Sequence, residues 1–179
     1  MRSRILTFAL LLLALGAFGA LAAGCGEEHE TEVKEGEALE LGDLMFKVQI
    51  TRFLNPSSEE DAAYLEGAPP LAPGQQYLAV FMQIDNEGDE ASEVPDGFRI
   101  IDTRGDVYLP DEIDNDFALI PGTEIPADGT VPGEETVARN GPIEGSMILF
   151  PIDEAATENR PLQLEVAYDG ETGEIELDI

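Results

Sequence analysis

Tryptophan is missing from this 179-residue chain, cysteine and histidine occur once each, and nine basic residues face 38 acidic ones. Each shortage closes off a class of chemistry. A single cysteine, Cys25, allows neither an intrachain disulfide nor a cysteine cluster for zinc. The single histidine, His29, lies among glutamates where nothing orients an imidazole, so Ser-His-Asp hydrolysis has no base. Glycine-rich phosphate loops of the nucleotide-binding kinds are lacking as well. A formal charge of −29 makes nucleic acid and anionic lipid poor partners. Carboxylates are so numerous that no pair of them indicates acid–base catalysis without geometry. The chain is therefore expected not to be an enzyme and, calcium aside, to need no cofactor.

What is present at the start is an address. Arg2 and Arg4 precede an uncharged run, residues 5–23, rich in Leu and Ala and ending Leu21-Ala22-Ala23-Gly24-Cys25. This is the layout of a secretory signal peptide over residues 1–24; a retained transmembrane anchor is the alternative. The small residues before a lone cysteine resemble the bacterial lipobox, with Ala22 in place of the usual larger aliphatic residue three positions before the cysteine. That resemblance implies lipid attachment at Cys25, cleavage before it, and a location at the cell membrane on its extracytoplasmic side. Losing Arg2 and Arg4 with the leader takes the charge from −29 to −31, which the acyl chains must outweigh. Residues 26–37 hold six glutamates and little that is apolar, so residues 25–37 read as a lipidated cysteine on a flexible acidic tether. The mature length suffices for one core, burying roughly 70% of the unfolded chain's surface.

The domain, expected over residues 38–179, is organised around residues 77–86. Leu78, Val80, Met82 and Ile84 fall on one side and Tyr77, Ala79 and Phe81 on the other, so this strand must be covered on both faces. Leu44, Phe46, Val48 and Ile50 alternate with Met45, Lys47, Gln49 and Thr51, a strand with one wet face. Ser58 with Asp61 three residues on, and Gly67 at the end, predict a short helix over 57–67. Further strands are expected over 98–102, 106–109, 134–139, 145–152, 162–168 and 174–179, the last two pairing through residues 169–173, with short candidates besides at 91–94 and 117–120. Seven or eight strands and one short helix make an all-β protein, an antiparallel β-sandwich, with a closed barrel as the alternative.

Leu44 to Val48, Gly74 to Phe81, Asp85-Asn86-Glu87-Gly88, residues 98–102 with Gly105-Asp106-Val107-Tyr108, Pro132-Gly133-Glu134 and residues 145–151 together resemble the small immunoglobulin-like domain of bacterial secreted lipoproteins. That family is a domain of unknown function whose fold is similar to that of the mycobacterial immunoprotective extracellular protein. The resemblance spans about residues 39–177 and departs from the family over 111–140. It implies an immunoglobulin-like sandwich and brings no catalytic residues.

Two surfaces are candidates for function. Asp111, Glu112, Asp114, Asn115 and Asp116 put hard oxygen donors on one loop, as calcium requires, without the glycine and terminal glutamate of an EF-hand. The long connection 57–74 carries Tyr64, Leu65 and Leu71, which either pack as a lid on the sandwich or face a partner. A non-enzymatic, lipid-anchored interaction or envelope accessory module, engaging the membrane and an extracytoplasmic protein, is the expected function. A calcium or small-ligand binder is the alternative: a ligand binder should show a lined pocket, an interaction module an apolar patch.

Overall fold

The computed structural model describes residues 31–179; the leader, Cys25 and His29 lie outside them. Ten of the twelve strands in the described residues form two main sheets. In chain order they are β1 (Glu32–Lys34), β2 (Ala38–Leu41), β3 (Leu44–Leu54), β4 (Gln75–Asn86), β5 (Ser92–Glu93), β6 (Gly97–Ile101), β7 (Val107–Tyr108), β8 (Glu124–Ile125), β9 (Thr130–Val131), β10 (Ser146–Asp153), β11 (Leu162–Tyr168) and β12 (Glu171–Leu177). One sheet has the order β1-β12-β11-β6-β7 and the other β10-β4-β3-β2, with β9 beside β4; β5 and β8 pair separately. The architecture is the expected all-β sandwich, with two separate sheets in place of a closed barrel.

The main core lies between the sheets. Leu78, Val80, Met82 and Ile84 of β4 pack there with Phe46, Val48, Phe150, Leu164, Val166 and Ile175, all fully buried. Tyr77, Ala79 and Phe81 point to the outer face, where Leu54, Tyr64, Met147 and Leu149 make a second cluster with them. The two-sided strand is thus covered twice, and the second cover is a third layer built from loops.

In β3 the register shifts between Val48 and Ile50. Val48 lies opposite Met82 and Ile50 opposite Phe81, so Gln49 is an extra residue, a β-bulge that reverses which face follows. Ile50, expected inside, is 40% exposed, while Thr51 is buried. Arg52 and Leu54 consequently face the outer layer, where both are used.

Residues 32–37 are not a free tether. β1 runs parallel to β12, with Glu32 opposite Glu174 and Val33 opposite Ile175, and Val33 enters the core. Main-chain pairing tolerates the flanking glutamates because only Val33 points inward. The next residues cross to the other sheet: Gly36 N–H donates to the Val48 carbonyl at 3.0 Å. The Glu35 carboxylate accepts from Thr51 N–H at 3.0 Å and from Asp178 N–H at 3.0 Å, joining the two sheets.

Three local expectations are corrected. Residues 57–67 form successive turns rather than a helix, because the Asp61 side chain that was to serve a helix end instead accepts from Asn55 N–H and pairs with Arg52. Residues 134–139 are not a strand: the Thr136 hydroxyl accepts from Arg139 N–H and caps a one-turn helix, α1 (Val137–Asn140), as threonine at such a position favours. Residues 117–120 contribute a single bridge, Ala118 to Met147. The expected β11–β12 hairpin forms with a tighter turn, Asp169 (φ 48°) and Gly170 (φ 82°), the two positive φ values of a type I′ turn.

Candidate functional site

The third layer is assembled from two long connections. Residues 55–74 fold back over the outer face of β4, pinned by Asp61, which is 3% exposed. Its carboxylate holds Arg52, delivered to this face by the bulge, and the Asn55 N–H at 2.8 Å. Tyr64 is 5% exposed and meets Phe81 edge-on at 5.3 Å and Phe117 at 4.5 Å between ring centroids. Burial pushes its hydroxyl pKa upward. Leu65 and Leu71 are half-buried against the same cluster. The Tyr77 hydroxyl donates to the Pro69 carbonyl, closing the far end of the segment.

The second connection, residues 110–121, covers the outer edge of β10. Asp111 N–H donates to the Leu149 carbonyl at 2.8 Å, Leu119 N–H to Met147 at 2.8 Å, and Met147 N–H to Phe117 at 2.6 Å. A strand edge that would otherwise present unpaired groups is thereby satisfied. Asn115 ties the two connections together: its amide donates to the carbonyls of Tyr64 and Glu66, each at 3.0 Å, and its oxygen accepts from Phe117 N–H.

Between these attachments the second connection, the arch, borders a cleft of about 610 Å³, within the roughly 300–1,000 Å³ typical of ligand sites. Pro110, Ile113, Ile120 and Pro121 give it an accessible apolar wall, and the buried Phe98, Leu119, Met147 and Leu149 border it. Ile120 is 41% exposed. Asp96, Asp111, Glu112 and Asp114 also line it, and among the described lining residues none is basic. Asp111 is half-buried, and desolvation raises its pKa above the ordinary 3.8.

The sequence-flagged residues separate into distinct roles. Asp111, Glu112 and Asp114 line the cleft, Asp116 is exposed, and Asn115 is engaged by main-chain groups. Among the described residues no three Asp, Glu, His or Cys side chains gather as metal ligands. Tyr64 lies inside the lid's contact with β4, so the packed alternative for residues 57–74 describes it. Phe98, Met147 and Leu149 escaped notice as cleft residues because each sits on a strand whose alternation already explains it. The exposed Val107 and Leu109, 51% and 64%, lie just before the arch.

No protein-family model matches the chain, and no curated protein matches it in sequence. Solved structures do. The secreted Mycobacterium tuberculosis protein MPT63 superposes with a TM-score of 0.52 at 13% identity, over 85% of this chain and 99% of its own. The yjhA protein of Bacillus subtilis gives 0.51 at 12%, over 82% and 99%. A functionally unknown Listeria monocytogenes protein gives 0.50 at 12%, over 81% and 84%. These likenesses establish the β-sandwich fold shared with a secreted mycobacterial protein; at such identities they carry no activity across.

Proposed function

We propose that the chain is a lipid-anchored extracytoplasmic accessory module, attached through Cys25, which works by binding and not by catalysis. Its working part is the cleft beneath residues 110–121, where it holds a small ligand. The observation that carries this reading is the cleft itself: an open, mostly apolar recess of ligand size on a rigid sandwich. Anchoring follows from the lipobox-like ending at Cys25, since two or more acyl chains supply stable membrane affinity. With β1 starting at Glu32, six residues separate the anchor from the sheet, a reach of roughly 20 Å. The domain therefore works close to the membrane.

A second reading, contact with a protein partner, is favoured by the exposed Val107 and Leu109 beside the arch. The two are separated by a thermal-shift screen of polar and amphipathic metabolites on the whole chain. Hits abolished by Ile120→Glu support the cleft. Hits indifferent to that change, or none, overturn it and leave the protein-contact reading. Anchoring is tested independently with Cys25→Ser, for which detergent phase partitioning is expected to find an unprocessed precursor or released protein; a mature, lipid-modified variant would refute it.

A further inference from the structure

We propose that the ligand of this cleft is a small amphipathic organic cation, an apolar body carrying one ammonium or guanidinium group, with Asp111 as its counter-charge. The inference rests on the cleft being the binding site and adds the chemistry of the occupant. Three features of the lining select it.

First, the interior is hydrocarbon. Its accessible apolar wall is Pro110, Ile113, Ile120 and Pro121 of the arch, bordered by the buried Leu119, Met147 and Leu149, so the body of the ligand must be apolar to gain from leaving water. Second, the charge of the lining has one sign. Asp96, Asp111, Glu112 and Asp114 line the recess, and the cations nearest in sequence are engaged elsewhere. Arg99 pairs with Glu165 at 2.6 Å, and Arg104 with Asp106 at 2.6 Å and Asp102 at 3.5 Å. Third, Asp111 is placed differently from the ordinary surface acids. Its main-chain N–H is fixed on Leu149, which holds the residue at the junction of arch and sandwich. Its side chain is half-buried, with desolvation the resolved influence on its pKa. A carboxylate held partly out of water gains from a cation that arrives already attached to an apolar group. A neutral ligand leaves that charge uncompensated, and an anionic one is repelled by all four carboxylates.

The same lining argues against a bare metal ion. Hard divalent cations need several oxygen ligands converging on one point, and among the described residues no such group forms. An amphipathic monocation needs only one well-placed carboxylate and a hydrophobic wall.

The experiment compares phenethylammonium with its near-isosteres phenylacetate and 2-phenylethanol. Binding is read from the methyl resonances of the methyl-labelled whole chain in lipid nanodiscs at constant ionic strength, where the ring shifts nearby methyl signals. Phenethylammonium is expected to shift Ile113, Leu119, Ile120 and Met147 saturably, the alcohol to bind at least about ten-fold more weakly, and phenylacetate not at all. Asp111→Asn should bring the ammonium down to the level of the alcohol, whereas Glu66→Gln, on the exposed lid, should leave its affinity unchanged. Equal affinity for the three probes, no saturation, or equal loss in both variants would overturn the proposal. So would cleft shifts that grow with protein concentration without probe, which would make the occupant a second copy. If the metabolite screen finds cleft-dependent ligands that are neutral or anionic, the cleft reading stands and this one falls.

Discussion

Removing the Tyr64 ring decides whether residues 57–74 are a structural cover or a free surface. The side chain is 5% exposed between Phe81 and Phe117. An aromatic side chain of this kind buries about 150–250 Å², and at about 25 cal/mol per Å² this is worth roughly 4–6 kcal/mol as an upper bound. Alanine retains part of that area, and the connection can settle into some of the space. The expected loss for Tyr64→Ala is therefore about 3–4 kcal/mol, in the range of buried aromatic truncations. For a domain of this size that corresponds to a melting temperature lower by about 6–16 °C. Urea denaturation followed by far-ultraviolet circular dichroism measures it, with Tyr64→Phe as the control that keeps the ring contacts and should cost under about 1 kcal/mol. A loss below about 1 kcal/mol for Tyr64→Ala, at unchanged denaturant slope, would refute the reasoning and return Tyr64 to the candidate partner surface.

Glu35→Ala is expected to destabilise by about 1–3 kcal/mol in the same assay, because the N–H groups of Thr51 and Asp178 lose a charged acceptor; no change would mean that residues 32–37 behave as tether after all. Burial raises the Asp111 pKa above 3.8, so its contribution to stability is fully present below pH 3.8 and is lost as pH rises through the folded-state value. Asp111→Asn should accordingly melt higher than the parent at pH 7 and no higher at pH 3, and a stabilisation independent of pH would contradict this. Calcium and magnesium chloride at matched ionic strength are expected to raise the melting temperature equally, by screening alone, and a clear calcium excess would restore a site on the 111–116 loop.

The long elements were legible because their side chains alternate. β4 announced its two covered faces, and the connection at residues 169–173 announced a hairpin, though not its two-residue turn. The bulge at Gln49 was not legible, since an extra residue leaves composition untouched and only pairing with Met82 and Phe81 reveals it. The turn-rich 57–67 segment misled for a related reason. Ser58 and Asp61 have the spacing of a helix start, but Arg52 and the Asn55 N–H, placed by tertiary structure, claim the Asp61 carboxylate first. β1 hid among glutamates because its hydrogen bonds are made by main chain, to which side-chain charge is no guide. β8 and β9, two residues each, are too short to show a period. The cleft draws on residues 96–98, 110–121 and 147–149, so no single window contains it. Its acidic loop carries the oxygen donors of a metal site in sequence, whereas the geometry separates Asp111 as a lining group from Asn115 as a clamp.

The parallel pairing of β1 with β12 also has a mechanical meaning. Under the proposed anchoring through Cys25, any drag on the domain away from the bilayer would reach it through Thr31, whose carbonyl accepts from Glu174 N–H at 2.7 Å, and then through β1 to Glu35, whose N–H donates to the Glu176 carbonyl at 2.9 Å. Because β1 lies along its neighbour, a pull along the strand loads these bonds together, in shear, where a strand peeled sideways would surrender them one at a time. Val33 in the core and the Glu35 carboxylate across the two sheets resist the same sliding. The N-terminal end of the described chain is thus held in a clamp suited to tension, and the force at which the domain gives way should depend on the direction of the pull.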